Sequence, residues 1–280
     1  MYKKNHVFLI LKYFILILFV MFILVPFIWT FYSSLRTESN LFSGKLFQIN
    51  EKFSFHNYKR LFETGPGGNF KTYIKNSFII SSISTVLVVF LSLIGGFTLS
   101  RFEVKLKNFF ILFLLSSYMF PHVLIMIPLF NIFLNLSLLD TKIGIVLIHS
   151  VLSLAFGVWM MKGFCDSIPL ELDEAGLIDG LKPMGVLFKI ILPLVSPGLA
   201  VVAFYSFMAS WGDFLFVSVF AQSLKTQTLT IGLNNLTGAT QVQWGILNAA
   251  TIISVLPTIL IFSFFQRWIV EGLTAGAVKG

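Results

Sequence analysis

Long apolar runs separated by short polar stretches set the pattern of this chain. The first, over 13–32 (YFILILFVMFILVPFIWTFY), contains no charge. About 20 apolar residues suffice for a helix to cross the hydrocarbon core of a bilayer. Five more runs follow, over about 78–100, 109–136, 143–161, 194–216 and 245–266. The pattern predicts an all-α integral membrane fold of six transmembrane helices in a single domain spanning 1–280. Pro121 and Pro128 fall inside the third run, which is long enough to tilt or kink. A cleaved signal peptide is the other reading of the first run. Against it, the run exceeds the usual apolar core of about 7–15 residues, and no small-x-small cleavage site follows.

Composition agrees with residence in lipid. The chain is 56% hydrophobic and only 11% charged, against about 25% charged in soluble domains. That balance argues against a soluble globule and rules out disorder. The net charge of +8 reads in a membrane chain as loop charge rather than nucleic-acid binding. Arg101, Lys105 and Lys107 crowd the connection between the second and third runs, while the turn 137–141 has neither Lys nor Arg. This contrast puts that connection, the following long loop and both termini in the cytoplasm. The basic residues of the 33–77 loop, from Arg36 to Lys75, pull the other way. A single cysteine, Cys165, excludes an intrachain disulfide or a Cys-based zinc site. The four histidines have no metal-ligand spacing.

The most informative polar segment is 166–197, DSIPLELDEAGLIDGLKPMGVLFKIILPLVSP. It reads as two short helices. Asp166 or Ser167 is placed to cap the first, and Pro169 suits a first turn, where its missing N–H costs little. Glu171, Asp173 and Glu174 lie near the positive end of that helix dipole. Gly180 is a natural left-handed hinge. A second helix is expected from about Pro183 to Ile191, ending before Pro193. A loop that only connected two spans would need less structure, so this one is expected to dock a partner.

Glu174-Ala175-Gly176, Gly180, Ile190 and Leu192-Pro193 stand at the spacing E-A-A-x3-G-x9-I-x-L-P. This resembles the EAA loop of ABC importer permeases, with Gly176 in place of the third-position Ala. Ile168-Pro169 and Asp179-Gly180 resemble the carbohydrate branch of that family. Trp211-Gly212-Asp213-Phe214 resembles its W-N-[ED]-F element, with Gly for Asn. The stretch 265–280 resembles the C-terminal signature of maltose-transporter-type permeases, and the likeness to their smaller permease subunit covers nearly the whole chain. The resemblance implies that 166–193 is a coupling loop seated on an ATPase subunit. There Glu174 would make the polar contact, Ala175 and Gly176 would allow close approach, and Gly180 would set the turn. It also implies a tail contact with the ATPase dimer through Glu271, Gly272, Gly276 and Lys279; the other reading of that tail is a frayed solvated end. Further partners implied are a second homologous permease and an extracytoplasmic sugar-binding protein. The 218–244 loop is either a plain connector or the place where that protein touches.

No P-loop pattern G-x4-G-K-[ST] is present. The chain is therefore expected to bind no cofactor of its own, ATP and magnesium belonging to the partner ATPase. A charge inside a span is costly and usually functional. Asp213 reads either as a structural carboxylate or as a pathway-lining group, and Asn131 and Asn248 either as pathway groups or as interhelical hydrogen-bonding residues. The function expected is import of a sugar by ATP-driven alternating access. The rivals are an importer of another solute, a secondary carrier, and a membrane enzyme. The last two lack, respectively, inverted repeats with paired intramembrane ionisable groups and a clustered catalytic set.

Overall fold

Residues that are apolar all round form helices that need no polar face, because in lipid only a helix satisfies every backbone group from within. The computed structural model describes residues 6–42, 53–63, 69–103, 105, 107–238 and 242–277, and every regular element among them is a helix. Four are long and apolar enough to cross a membrane. They are α1 (His6–Ser34), α4 (Phe70–Arg101), α7 (Lys142–Asp166) and α14 (Trp244–Ala277). Two short helices, α2 (Glu38–Leu41) and α3 (His56–Phe62), lie in the polar stretch between the first two.

The expected third and fifth spans are built differently from the single runs read in the sequence. The 109–136 run is two helices, α5 (Lys107–Met119) and α6 (His122–Asn135), parted at Phe120–Pro121. Proline lacks an N–H and disfavours helical backbone in the residue before it. Pro128, by contrast, is absorbed inside α6. The 194–216 run contains α11 (Ser196–Trp211), which bends by 81° from the helical segment Pro183–Leu194 preceding it. The span count among the described residues is thus four, or five if that bent pair is one crossing.

The chain forms two compact units, Met1–Phe70 with Gly232–Leu256, and Lys71–Ile231 with Pro257–Gly280. In the first, Asn57 closes the turn after α1, its amide donating to the carbonyls of Ser34 and Arg36 at 2.8 Å each. Glu38 accepts from the backbone N–H of Gly245 at 2.7 Å.

The second unit is built around α7. One of its cores joins Val88, Leu93 and Phe97 of α4 to Met161 and Cys165 of α7 and to Val186, Leu187 and Ile191. The two long helices meet at Gly96, where an added Cβ would lie 2.6 Å from the Met161 Cβ and 2.7 Å from the Lys162 backbone nitrogen. Backbone cannot step aside as a flexible side chain does. Gly96→Val is expected to destabilise the protein by about 1–3 kcal/mol, the usual cost of overpacking, seen as a lower midpoint of thermal unfolding in detergent.

Candidate functional site

The segment after α7 folds as an outward-facing helical hairpin. Its first helix is α8 (Glu171–Ile178), with Glu171, Asp173 and Glu174 in the first turn, where carboxylates are favoured by the helix dipole. The expected caps do other work. Leu170 is the N-cap residue, Ser167 donates to the Phe164 carbonyl at 2.7 Å, and Asp166 pairs with Lys162 and accepts from Ser100. Pro169 stands ahead of the helix rather than within it. Gly180 turns the chain with φ +85°, a left-handed conformation that glycine adopts without steric cost.

The return leg also departs from expectation. It does not end before Pro193. Helix α9 (Pro183–Val186) passes through a π turn, Leu187–Ile191, into α10 (Leu192–Leu194). A proline inside an α-helix clashes with the carbonyl four residues back. The wider i→i+5 turn just before Pro193 gives the chain another path, with the Leu192 N–H donating to the Leu187 carbonyl.

The hairpin has two distinct faces. Asp173 and Gly176, one turn apart, point inward and are buried. A Cβ on Gly176 would meet Ile190 Cδ1 at 2.5 Å and Val186 at 3.2 Å. Gly176 is thus the place where the two legs touch, and the motif residues Gly176 and Ile190 pack on each other. Leu192 is partly buried against the same core, whereas Pro193 is exposed. On the outer face, Glu174, Ala175 and Asp179 are exposed, as are Leu170, Leu172, Leu177 and Ile178, the last at 85%. The result is a short helix with apolar and acidic groups outward, held rigidly from behind.

What holds it is Arg101, the last residue of α4. Its Nε lies 2.8 Å from Asp173 Oδ2, with the two side chains only 8% and 13% exposed. Neither Nε nor the Asp173 oxygens have an aligned hydrogen bond, so charge attraction carries this contact. Another guanidinium nitrogen donates to the Ile168 carbonyl at 2.9 Å. In the sequence Arg101 stands out only as a topology charge and Asp173 only as a dipole partner. The available signal was that Asp173 and Gly176 share one helix face.

Asp213 sits deeper in the same unit, where α11 ends and α12 (Leu215–Phe220) begins. Its Oδ2 is 3.2 Å from His149 Nε2 on α7 and accepts from the Val217 N–H at 3.1 Å. The other histidine nitrogen is 2.7 Å from Ser210 Oγ. These groups border a cavity of about 140 Å³ that His122, Ser153 and Tyr205 also line. Asp213 therefore satisfies a first-turn N–H of α12 and borders a cavity at once. Asn131 is on the exposed face of α6 and does not line this cavity; Asn248 is half-buried on α14, at a position belonging to the other unit.

The far end of the unit is fixed by the turn between α6 and α7. Asp140 has φ 53°, and its carboxylate accepts from the N–H groups of Gln222 and Ser223 at 3.0 and 2.9 Å and from Thr226. Burial pushes its pKa up, but the hydrogen bonds from Thr226, Ser223 and Gln222 outweigh this and hold the carboxyl below its ordinary value of 3.8. A lowered folded-state pKa gives stability that is present above the unfolded value and lost as pH falls through the folded one. Asp140→Asn tolerates the same backbone. Its deficit in thermal stability is expected to be constant at neutral pH and to shrink below about pH 4.

The polar 218–244 stretch contains another short helix, α13 (Leu229–Thr237). At the C-terminus the backbone of Glu271, Gly272 and Gly276 continues α14, which runs to Ala277, while Lys279 lies outside the described residues.

Comparison with known proteins agrees with this architecture. The family described as binding-protein-dependent transport system inner membrane component matches residues 88–274. The chain is 37% identical over 211 residues to the inner membrane ABC transporter permease protein YcjP of Escherichia coli, covering 75% of each chain. It is 34% identical to the trehalose transport system permease protein SugB of Mycobacterium tuberculosis, covering 92% of this chain and 93% of that one. In fold it superposes with TM-score 0.82 and 21% identity on a bacterial ABC transporter involved in the import of the acidic polysaccharide alginate, covering 96% of this chain and 99% of the other. A multi-pass helical membrane protein with a family match across both the α8 hairpin and the Asp213 cavity belongs to the binding-protein-dependent ABC importer permeases, the inner membrane components of such transport systems.

Proposed function

We propose that this chain is a permease subunit that moves a sugar or oligosaccharide across the cytoplasmic membrane by ATP-driven alternating access. The observation carrying this is the outer face of α8, where Glu174 and Ala175 stand exposed beside Leu177 and Ile178 on a helix braced by Arg101. Such a face suits a cleft in an ATPase. Sugar as cargo is supported by relatives such as the trehalose permease SugB.

In this reading the whole chain is one transmembrane permease domain with six crossings, α5 and α6 together making the third and the 194–216 stretch, with α11, the fifth. Both termini and the 166–193 hairpin are cytoplasmic. ATP and magnesium bind the separate ATPase. A second permease pairs with this one, and a sugar-loaded binding protein docks on the outside. Asp213, Asn131 and Asn248 are the candidates for contact with passing hydroxyl groups, and the tail residues Glu271, Gly272, Gly276 and Lys279 for a second ATPase contact.

The test is mild-detergent capture of the tagged chain from native membranes, with mass spectrometry of what co-purifies. A second permease and an ATP-binding cassette subunit are expected. Recovery of this chain alone, with transport retained in liposomes under an ion gradient, would overturn the proposal in favour of a secondary carrier.

A further inference from the structure

At the end of the second unit away from the α8 hairpin, three lysines from separate elements converge on one open cleft of about 490 Å³. Lys75 comes from the early turns of α4, Lys142 is the first residue of α7, and Lys225 lies between α12 and α13. Lys75 and Lys225 are exposed and Lys142 is half-buried. Among the described residues none of the three has an ion-pair partner. One carboxylate, Asp140, borders the cleft, and its Oδ1 is already engaged by Gln222, Ser223 and Thr226. The cleft is therefore net positive, and like charges gathered in a concavity focus their field on whatever enters it.

Its height is also fixed. Lys142 begins a helix of membrane-crossing length, and Lys75 is near the start of another, while the opposite ends of both helices, Arg101 and Asp166, adjoin the hairpin. The cleft thus opens at the level of a membrane surface, where phosphate groups are concentrated. Lysine is a compact, mobile point charge suited to phosphate, and Thr72 adds a half-buried hydroxyl at the wall.

We propose that this cleft is a binding site for a phosphate-type anion, taken either from the headgroup of an anionic phospholipid or from a free phosphate-bearing solute. The site is independent of the cargo and of the ATPase contact, so it stands or falls separately from the importer reading.

The experiment is thermal unfolding of the full purified chain in detergent, titrated separately with phosphatidylglycerol, phosphatidylcholine and inorganic phosphate. It is run on wild type and on Lys75→Gln/Lys142→Gln/Lys225→Gln. A ligand that binds only the folded state raises the midpoint, by an amount that grows with the logarithm of its concentration above Kd. Wild type is expected to respond to phosphatidylglycerol, and each lysine removed to weaken that response by about fivefold in affinity. A matching response to inorganic phosphate assigns the site to a free solute. The single variant Lys225→Glu, at an exposed turn, serves the same purpose if the triple variant is impaired in folding. No response from wild type, or equal responses from wild type and variants, would overturn the proposal.

Discussion

Arg101→Ala is expected to destabilise the protein by about 3–5 kcal/mol, the cost of leaving one member of a buried ion pair without its partner. Asp173→Ala should cost a similar amount, because the guanidinium would then be stranded at the end of α4. The two losses should not add. Arg101→Met combined with Asp173→Leu removes both charges and fills the space with apolar atoms, a replacement that is often neutral or better. The double variant is expected to recover most of the thermal stability, apart from about 1 kcal/mol for the abandoned Ile168 carbonyl. Cys165 offers a second readout. It is the chain's one cysteine and is 0% exposed within the core that the hairpin covers. Maleimide should label it slowly in the wild type, quickly in either single variant, and slowly again in the double. Fast labelling of the wild type, or additive losses in the double variant, would show that the pair is not what holds the hairpin.

Glu174→Lys is expected to leave the fold intact and abolish coupled uptake. The side chain is exposed and has no ion-pair partner among the described residues. Replacing it should cost only the dipole preference of a first-turn carboxylate, about 0.3–1 kcal/mol. Truncating a desolvated, hydrogen-bonded charge across an interface costs about 2–5 kcal/mol, so uptake should fall by roughly thirtyfold or more, with a positive charge worse than alanine. The checks are uptake of the cargo in whole cells and co-purification of the ATPase. Normal uptake by a stably folded Glu174→Lys variant would remove Glu174 from the docking contact. A comparison with Ile178→Asp separates charge from apolar seating, since Ile178 is the most exposed apolar residue of α8.

Much of this was legible in the order of residues, and the reasons differ from place to place. The four long helices follow from uncharged runs that only a helix can carry through lipid. The turn at Gly180 was legible because a left-handed backbone position is a local property. Gly176, where the resemblance implies room for close approach, faces Ile190; direction around a helix needs a neighbouring element to define inside. Arg101 and Asp173 are 72 positions apart and signal nothing locally. The same is true of His149 and Asp213, each visible as a polar residue in an apolar run but paired only by folding. Pro193 predicted a helix end, and the π turn ahead of it removed the clash that prediction relied on.

The π turn at Leu187–Ile191 has a further consequence for how this hairpin can change over time. An i→i+5 turn holds one residue more than an α-turn would over the same stretch. Each residue in an α-helix advances the chain by about 100° around its axis. Losing one residue there would close the π turn to an α-turn, and the Pro193 ring would then meet the carbonyl four residues before it. Phe188 and Lys189 are both exposed, so their identities are free to drift while their number is not. Within the spacer between Gly180 and Ile190, the outward positions thus tolerate substitution, Val186 and Leu187 are held by the core, and the number of residues is held by Pro193.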